Sequence, residues 1–348
     1  MTWFTTPAAG LNADIQNQAT QHQAILTKPA GSLGQLENIA IQFAAMQSSN
    51  TPKLNNIYIA VFAADHGVMD ENVSAFPQAV TAEMVRNFSR GGAAISVLAK
   101  QLKATLDVVD MGTANELETL PGVLSMRVAS ATHNFCTQAA MSAAQCYQAL
   151  EAGKVIAEKA KQNEADIFIG GEMGIGNTTT SAALASALLQ QPVAGIVGPG
   201  TGLDDKGIQH KIEIIEKALA YHKKANTEPL KILENLGGFE IIALVGAYIR
   251  AAQLGLPCVI DGFIASVAAL FATHLSKGVE QWFVYSHQSA EPGHRIVLQA
   301  LKATPLLNIG MRLGEGSAAA SVVCLLKNAL ALHNNMATFE QAGVSDKS

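Results

Sequence analysis

Short runs in which every position is apolar alternate along this chain with longer stretches whose apolar residues recur at helical spacing. Asn56 to Asp65 (NIYIAVFAAD), Ala104 to Gly112, Ala165 to Gly171, Pro257 to Gly262 and Trp282 to Ser286 are apolar nearly throughout, the pattern of strands covered on both faces. Ala-rich helical stretches separate most of them. A chain in that order must return over its sheet between strands, so it predicts a Rossmann-like, three-layer α/β fold, a largely parallel sheet with helices on both faces. The start of the chain differs. Leu11 to Leu26 and Ser32 to Met46 carry helical periodicity, the second opened by Ser32 as N-cap, and they predict a small helical cap. No internal repeat or long linker divides the chain, and the polar tail after His333 is expected to fray.

The polar interruptions fall where the strands end. ADHGVMDENVSAFP follows the first strand, a glycine-rich turn follows DIFI, DGF follows CVI, and SHQSAEPGHR follows WFVY. Ligands of open α/β sheets bind outside the carboxyl ends of the strands, so these loops are expected to converge on one crevice. The division expected is an α/β nucleotide-binding catalytic core over 53–310, with 1–52 and 311–348 forming a helical small domain packed on it.

In GEMGIGNTTTSAALASAL the chain passes from strand through glycines into a helix, which aims free backbone N–H groups and a positive helix end at an anion. Gly171, Gly174 and Gly176 are spaced GxxGxG, not as the dinucleotide fingerprint, and no GK[ST] follows, which excludes a P-loop. Asn177 and Thr178 can cap the helix and donate to phosphate oxygens. Such a turn alone is more often structural than anion-binding. A second one, VGPGTGLDD (Val197 to Asp205), again leads into a helix, with Lys211 inside it, and the pair suggests one phosphate held from two sides.

Two carboxylates stand among glycines: Glu172 between Gly171 and Met173, and Glu315 between Gly314 and Gly316. Each could complement a helix dipole; burial would instead raise its proton affinity and suit it to work as a general base. His66, His287 and His294 lie in crevice loops and could join Asp65 or Glu291 around a metal, but no HxxxH or HxH pair anchors one. Hydrogen-bonding and loop-supporting roles are expected, and no metal.

Composition narrows the ligand. The 348 residues are 49% hydrophobic and 15% charged with net charge -5, which gives a compact globular protein without the basic face that nucleic acid requires. A small ligand is the better expectation. Cys136, Cys146, Cys258 and Cys324 show no CxxC spacing and read as buried thiols in a reducing compartment. The N-terminus lacks the basic start and apolar run of a secretory signal, and the apolar stretch Ile241 to Ile249 is far shorter than the roughly 20 residues a bilayer span needs, so a cytoplasmic protein with no membrane span is expected.

KPAGSLGQLE, AADHGV, SAFPQAVTAEMV, GGAAISVLA, GEMGIGNTTT, VGPGTGLD, LGGFEIIALVGA and NIGMRLGEGSAAA, in that order from Lys28 to Ala320, together resemble the nicotinate-nucleotide:dimethylbenzimidazole phosphoribosyltransferase family of the cobalamin pathway. The resemblance implies that nicotinate mononucleotide and 5,6-dimethylbenzimidazole, or a related base, give α-ribazole 5′-phosphate and nicotinate, by a homodimer without cofactor. It assigns the general base to Glu315 and makes Glu172 the candidate for stabilising ribosyl charge or orienting substrate. Gly174, Gly176, Asn177, Thr178, Gly200, Thr201, Gly202 and Lys211 would surround the phosphate and ribose, with Asp261 and Ser289 on the ribose or nicotinate side. Ser74, Phe76, Met84, Met173, Ile175 and Leu313 would form the slot for the flat acceptor. Glu83 stands where the family is expected to carry glutamine, which leaves its contact open.

Two other classes stay in view. An NAD(P)-dependent oxidoreductase would need a dinucleotide fingerprint after the first strand, where ADHGV stands. A non-catalytic nucleotide or base carrier would need the phosphate turns but no isolated base. The acceptor itself is not fixed, because candidate bases differ by small groups worth only ~1 to 3 kcal/mol of discrimination.

Overall fold

The computed structural model describes residues 2–200 and 202–345. Among them, six strands form one parallel sheet: β1 (Ile57–Ala64), β2 (Thr105–Gly112), β3 (Val123–Ser125), β4 (Ile167–Met173), β5 (Cys258–Ile260) and β6 (Phe283–Tyr285), in the spatial order β3-β2-β1-β4-β5-β6. Strands β1, β2, β4, β5 and β6 coincide with the apolar runs. β3 has no such run, because it is a short edge strand whose residues are half-buried or exposed, and pairing with β2 alone makes it a strand.

Alternation across the pleat builds the two outer layers. Tyr58, Ala60, Phe62 and Phe168 point to one face, where they pack with residues of the helices Ala143–Gln162, Phe239–Gln253 and Phe263–Leu275. Ile57, Ile59, Val61, Ile167 and Ile169 point to the other, against Phe43 of helix Gln35–Gln47, Phe88 of Ala79–Arg90, Ile95 of Ala94–Leu102 and Val322 of Ser317–Asn335. The strand order reverses between β1 and β4. Loops leaving their carboxyl ends diverge at that point and open a crevice.

Helix Phe239–Gln253 is buried along nearly its whole length, which accounts for the apolar run at Ile241 to Ile249. Its crossing with Ala143–Gln162 is close enough that a methyl group at Gly153 would collide with the Ala243 carbonyl and one at Gly246 with the Leu150 carbonyl. Among the described residues no helix is long and apolar enough to cross a membrane.

Three expectations are corrected. Ser32 is not an N-cap: the helix begins at Gln35 after Gly34 at φ 57°, while the Glu37 carboxylate accepts the Leu33 N–H at 3.0 Å and pairs with Lys28 at 2.9 Å. Cys324 is exposed on Ser317–Asn335, whereas Cys136, Cys146 and Cys258 are buried. The tail after His333 is tied down as far as helix Phe339–Ala342, because Thr338 pairs with Leu26, Ala337 accepts two hydrogen bonds from Thr27, and a capping box at Thr338 starts that helix; its last residues, 346–348, lie outside the described residues.

Candidate active site

Loops after β1, β4, β5 and β6 line one cavity of about 390 Å³, joined by the segment Arg312–Glu315 that leads into helix Ser317–Asn335. The sheet does not end where the glycines begin: β4 carries Gly170, Gly171 and Glu172 as strand residues, and the turn proper is Gly174 to Gly176. Gly176, at φ 100°, caps helix Asn177–Leu189 without a side-chain bond. Asn177 and Thr178 therefore do not cap. Both line the cavity; Asn177 Nδ2 donates to Glu172 Oε2 at 2.5 Å, and Thr178 Oγ1 accepts from Lys211 Nζ at 2.8 Å.

The second glycine loop meets the first at that threonine. A Cβ on Gly200 would stand 2.8 Å from Thr178 Oγ1 and 3.2 Å from Lys211 Nζ, and the Gly200 carbonyl accepts from Arg312 Nη1 at 3.1 Å. Lys211 is 2% exposed on helix Asp205–His222, and burial lowers its pKa to about 8, with Glu291 opposing the fall. Thr178, Gly200, Lys211 and Arg312 thus form one cationic corner where two helix entries converge, an arrangement suited to a phosphate. Gly202 is exposed and off the wall, the Cβ direction of Gly176 faces His66 and Met69, and Thr201 lies outside the described residues.

The histidines support these loops. His66, fully buried, joins Thr180 Oγ1 at 2.9 Å through Nδ1 and Glu240 Oε1 at 2.7 Å through Nε2, fixing the phosphate-turn helix to Phe239–Gln253. His294 Nδ1 accepts the Ser289 N–H at 2.8 Å while Nε2 pairs with Ser266 Oγ at 2.9 Å. His287 is on the cavity wall with Ser289, and burial takes its pKa down to about 4, so it is neutral there.

Glu315 adopts φ 65° between Gly314 at 88° and Gly316 at 84°. A left-handed non-glycine residue costs ~1 to 3 kcal/mol and persists only where its surroundings hold it. What holds it is β4: the Glu315 carbonyl lies against Gly171, where any Cβ would collide with it. Glu315 Oε2 receives a 3.4 Å contact from the Ile95 N–H, and burial raises the carboxyl's pKa, partly offset by that N–H. Glu172 has the stronger shift. Burial first, then the neighbouring Asp261, Glu240 and Glu315, push it well above the usual carboxylate range, with Asn177 opposing. Asp261 is not on the wall: its carboxylate accepts the Gly316 N–H at 3.2 Å and the Ala319 N–H at 2.8 Å, so it caps helix Ser317–Asn335. Burial raises its pKa to about 6 against those bonds.

Phe76, Val80, Met84, Met173, Ile175 and Leu313 supply the apolar part of the wall. Ser74 is not part of it; its hydroxyl accepts the Phe76 N–H at 3.3 Å and shapes the turn that presents the ring. Glu83 is exposed and absent from the wall, so its charge stands outside the acceptor slot. His287, Glu291 and the Gly262–Ile264 segment, expected in crevice loops without a substrate-binding role, are on the wall, and Val80 and Arg312 were missed. Val80 could have been found one helical turn before Met84, and Arg312 as the arginine three residues before Glu315.

A family model described as a phosphoribosyltransferase matches residues 8–344. The chain is 54% identical over 345 residues to a protein of Pseudomonas aeruginosa (strain UCBPP-PA14) named nicotinate-nucleotide–dimethylbenzimidazole phosphoribosyltransferase, covering 99% of this chain and 98% of that one. A protein of Pseudomonas putida (strain GB-1) with the same name is also 54% identical, with the same coverage. Among solved structures, CobT from Thermus thermophilus superposes with a TM-score of 0.92 at 40% identity, covering 96% of this chain and 100% of that one.

Proposed function

The chain belongs to the nicotinate-nucleotide–dimethylbenzimidazole phosphoribosyltransferase family, and on that premise we propose that it transfers the phosphoribosyl group of nicotinate mononucleotide to 5,6-dimethylbenzimidazole or a related base, with inversion at C1′ and Glu315 as general base. The observation that carries the assignment is Glu315 itself, a carboxylate held in a left-handed conformation on the wall of a cavity that also contains an apolar slot and Thr178, Gly200 and Arg312, with Lys211 behind Thr178.

The nucleotide phosphate enters the corner of Thr178, Gly200, Lys211 and Arg312, and the acceptor lies along Phe76, Met84, Met173, Ile175 and Leu313. As the C1′–N bond breaks, its electron pair returns to the pyridinium nitrogen, so nicotinate leaves with a neutral ring nitrogen and needs no proton from a general acid. A ring nitrogen of the acceptor forms the new bond from the opposite face, and the proton on its other nitrogen passes to Glu315. Positive charge developing on the ribosyl group is favoured by the anionic carboxylate beside it. Glu172 has the larger rise in proton affinity, so less of it is ionised and free to accept a proton, and it serves to orient substrate with Asn177. Ser289 and neutral His287 remain for the ribose or nicotinate side. Assembly as a homodimer belongs to the same reading, and sedimentation of the purified protein tests it.

Phe76 is half-exposed at the mouth and part of the apolar wall. Phe76→Ala is expected to raise the acceptor KM several-fold and leave nucleotide affinity nearly unchanged. Equal damage to both substrates would remove Phe76 from the slot. The function as a whole is tested by a product assay with nicotinate mononucleotide against a panel of benzimidazole, phenolic and purine acceptors. Formation of an α-ribotide supports it; binding of both substrates without turnover would make the protein a carrier.

A further inference from the structure

The cationic corner already contains an anion. Glu291, 6% exposed, lines the same cavity as Thr178, Gly200 and Arg312, and the pyrrolidine of Pro292 and its carboxylate fill the space beside Gly198, where a Cβ would collide with Oε2. The groups that act on this carboxylate are those assigned to the phosphate: the Lys211 ammonium, the Arg312 guanidinium and the Gly200 backbone N–H. Burial raises its pKa while those three groups oppose the rise. On its own helix, Pro292–Ala300, the nearby His294 is neutral because burial takes its pKa down to about 3. Helix Asn177–Leu189 contributes only the Thr178 hydroxyl, and neutral His287 stands on the β6 loop.

We infer that the Glu291 carboxylate is the resident counter-ion of the phosphate corner, and that binding the nucleotide's phosphate dianion is coupled to uptake of a proton from water by Glu291. The inference rests on the proposed nucleotide substrate. Without ligand, the carboxylate compensates the buried Lys211 ammonium and the exposed Arg312 guanidinium, and holds the loop through Gly198 and Gly200 in its binding shape. When a dianion enters the same corner, two anions face one set of cations, and like charge raises the pKa of the group that can still take a proton. Protonated, Glu291 no longer repels the phosphate and can donate to it. Glu291 is thus a positioning residue that sets how nucleotide affinity varies with pH.

Calorimetric titration of nicotinate mononucleotide into the wild-type protein at pH 7.5, in buffers of differing ionisation enthalpy, counts the protons exchanged. The phosphate is then almost entirely dianionic, its second pKa being about 6. Net uptake is expected for the wild-type protein, and a smaller count in Glu291→Gln, where Lys211, with its pKa near 8, is left to take up protons. The variant should also bind the nucleotide about tenfold more tightly at pH 8, as expected for relief of about one pKa unit of interaction, an advantage that shrinks as pH falls. Equal proton counts in the two proteins, or weaker binding by a folded variant, would overturn the coupling and leave Glu291 a loop anchor. If the variant does not fold, the wild-type count decides: uptake at pH 7.5 no larger than the roughly quarter proton that Lys211 can take up from a pKa near 8 overturns the inference. Failure of the wild-type protein to bind the nucleotide at all, while folded, would instead count against the proposed substrate.

Discussion

Glu315→Gln is expected to lower turnover by ~10² to 10⁴-fold, the usual contribution of a positioned general base, while both substrates still bind. Glutamine keeps the shape and can still accept from the Ile95 N–H, but cannot take the acceptor's proton. The pH profile gives an independent reading. The base must be ionised, and burial raises its pKa, so wild-type activity should fall as pH drops through that value. The acid limb should be missing from the variant's residual rate. Single-turnover rates for Glu315→Gln and Glu172→Gln, with both substrates saturating, separate the two carboxylates. Near-normal chemistry in the first variant with a dead second one would make Glu172 the base.

Gly171→Ala should do comparable damage without touching a charge. The added methyl group would drive into the Glu315 carbonyl and press on Gly316 N, and neither side can yield cheaply because both are backbone. Overpacking of this kind costs ~1 to 3 kcal/mol of stability, and here the easiest relief is displacement of the Gly314–Gly316 segment. The expected result is a folded protein with a lower melting temperature, near-normal nucleotide affinity and kcat reduced toward that of Glu315→Gln. Because the two changes would disable one device, adding Gly171→Ala to Glu315→Gln should cost little further turnover. Full multiplication of the two losses would show that Gly171 acts elsewhere.

The strand runs were legible because burial on both faces leaves no room for polar residues, and β3 was not because a half-exposed edge carries no such signature. The convergence of the loops followed from strand order alone. Individual contacts did not. Asp261 sits in a strand-end loop like the wall residues, yet its oxygens are taken by helix amides more than fifty positions away, information held in the crossing of segments and not in spacing. Lys211 was found as the lysine inside the helix that follows the second glycine loop, while Glu83 differs from its neighbour Met84 only in which side of helix Ala79–Arg90 it occupies. The left-handed backbone at Glu315 was hinted at by its flanking glycines, but its cause, the bare Cα of Gly171, requires β4 to lie beneath it.

The helix capped by Asp261 also sets the order in which the protein can become competent during synthesis. Domains fold as the chain emerges from its N-terminal end. Ile39 and Phe43, near the start, belong to the same apolar cluster as Val322 and Leu326, which are among the last residues made. A chain made only as far as β6 has both glycine turns and all six strands, but the apolar face of Gln35–Gln47 still lacks its cover and Asp261 the amides of residues 316 and 319. Such a chain lacks both Arg312 of the cationic corner and Glu315, so docking of the last long helix closes the groove and completes two sides of the cavity in one event.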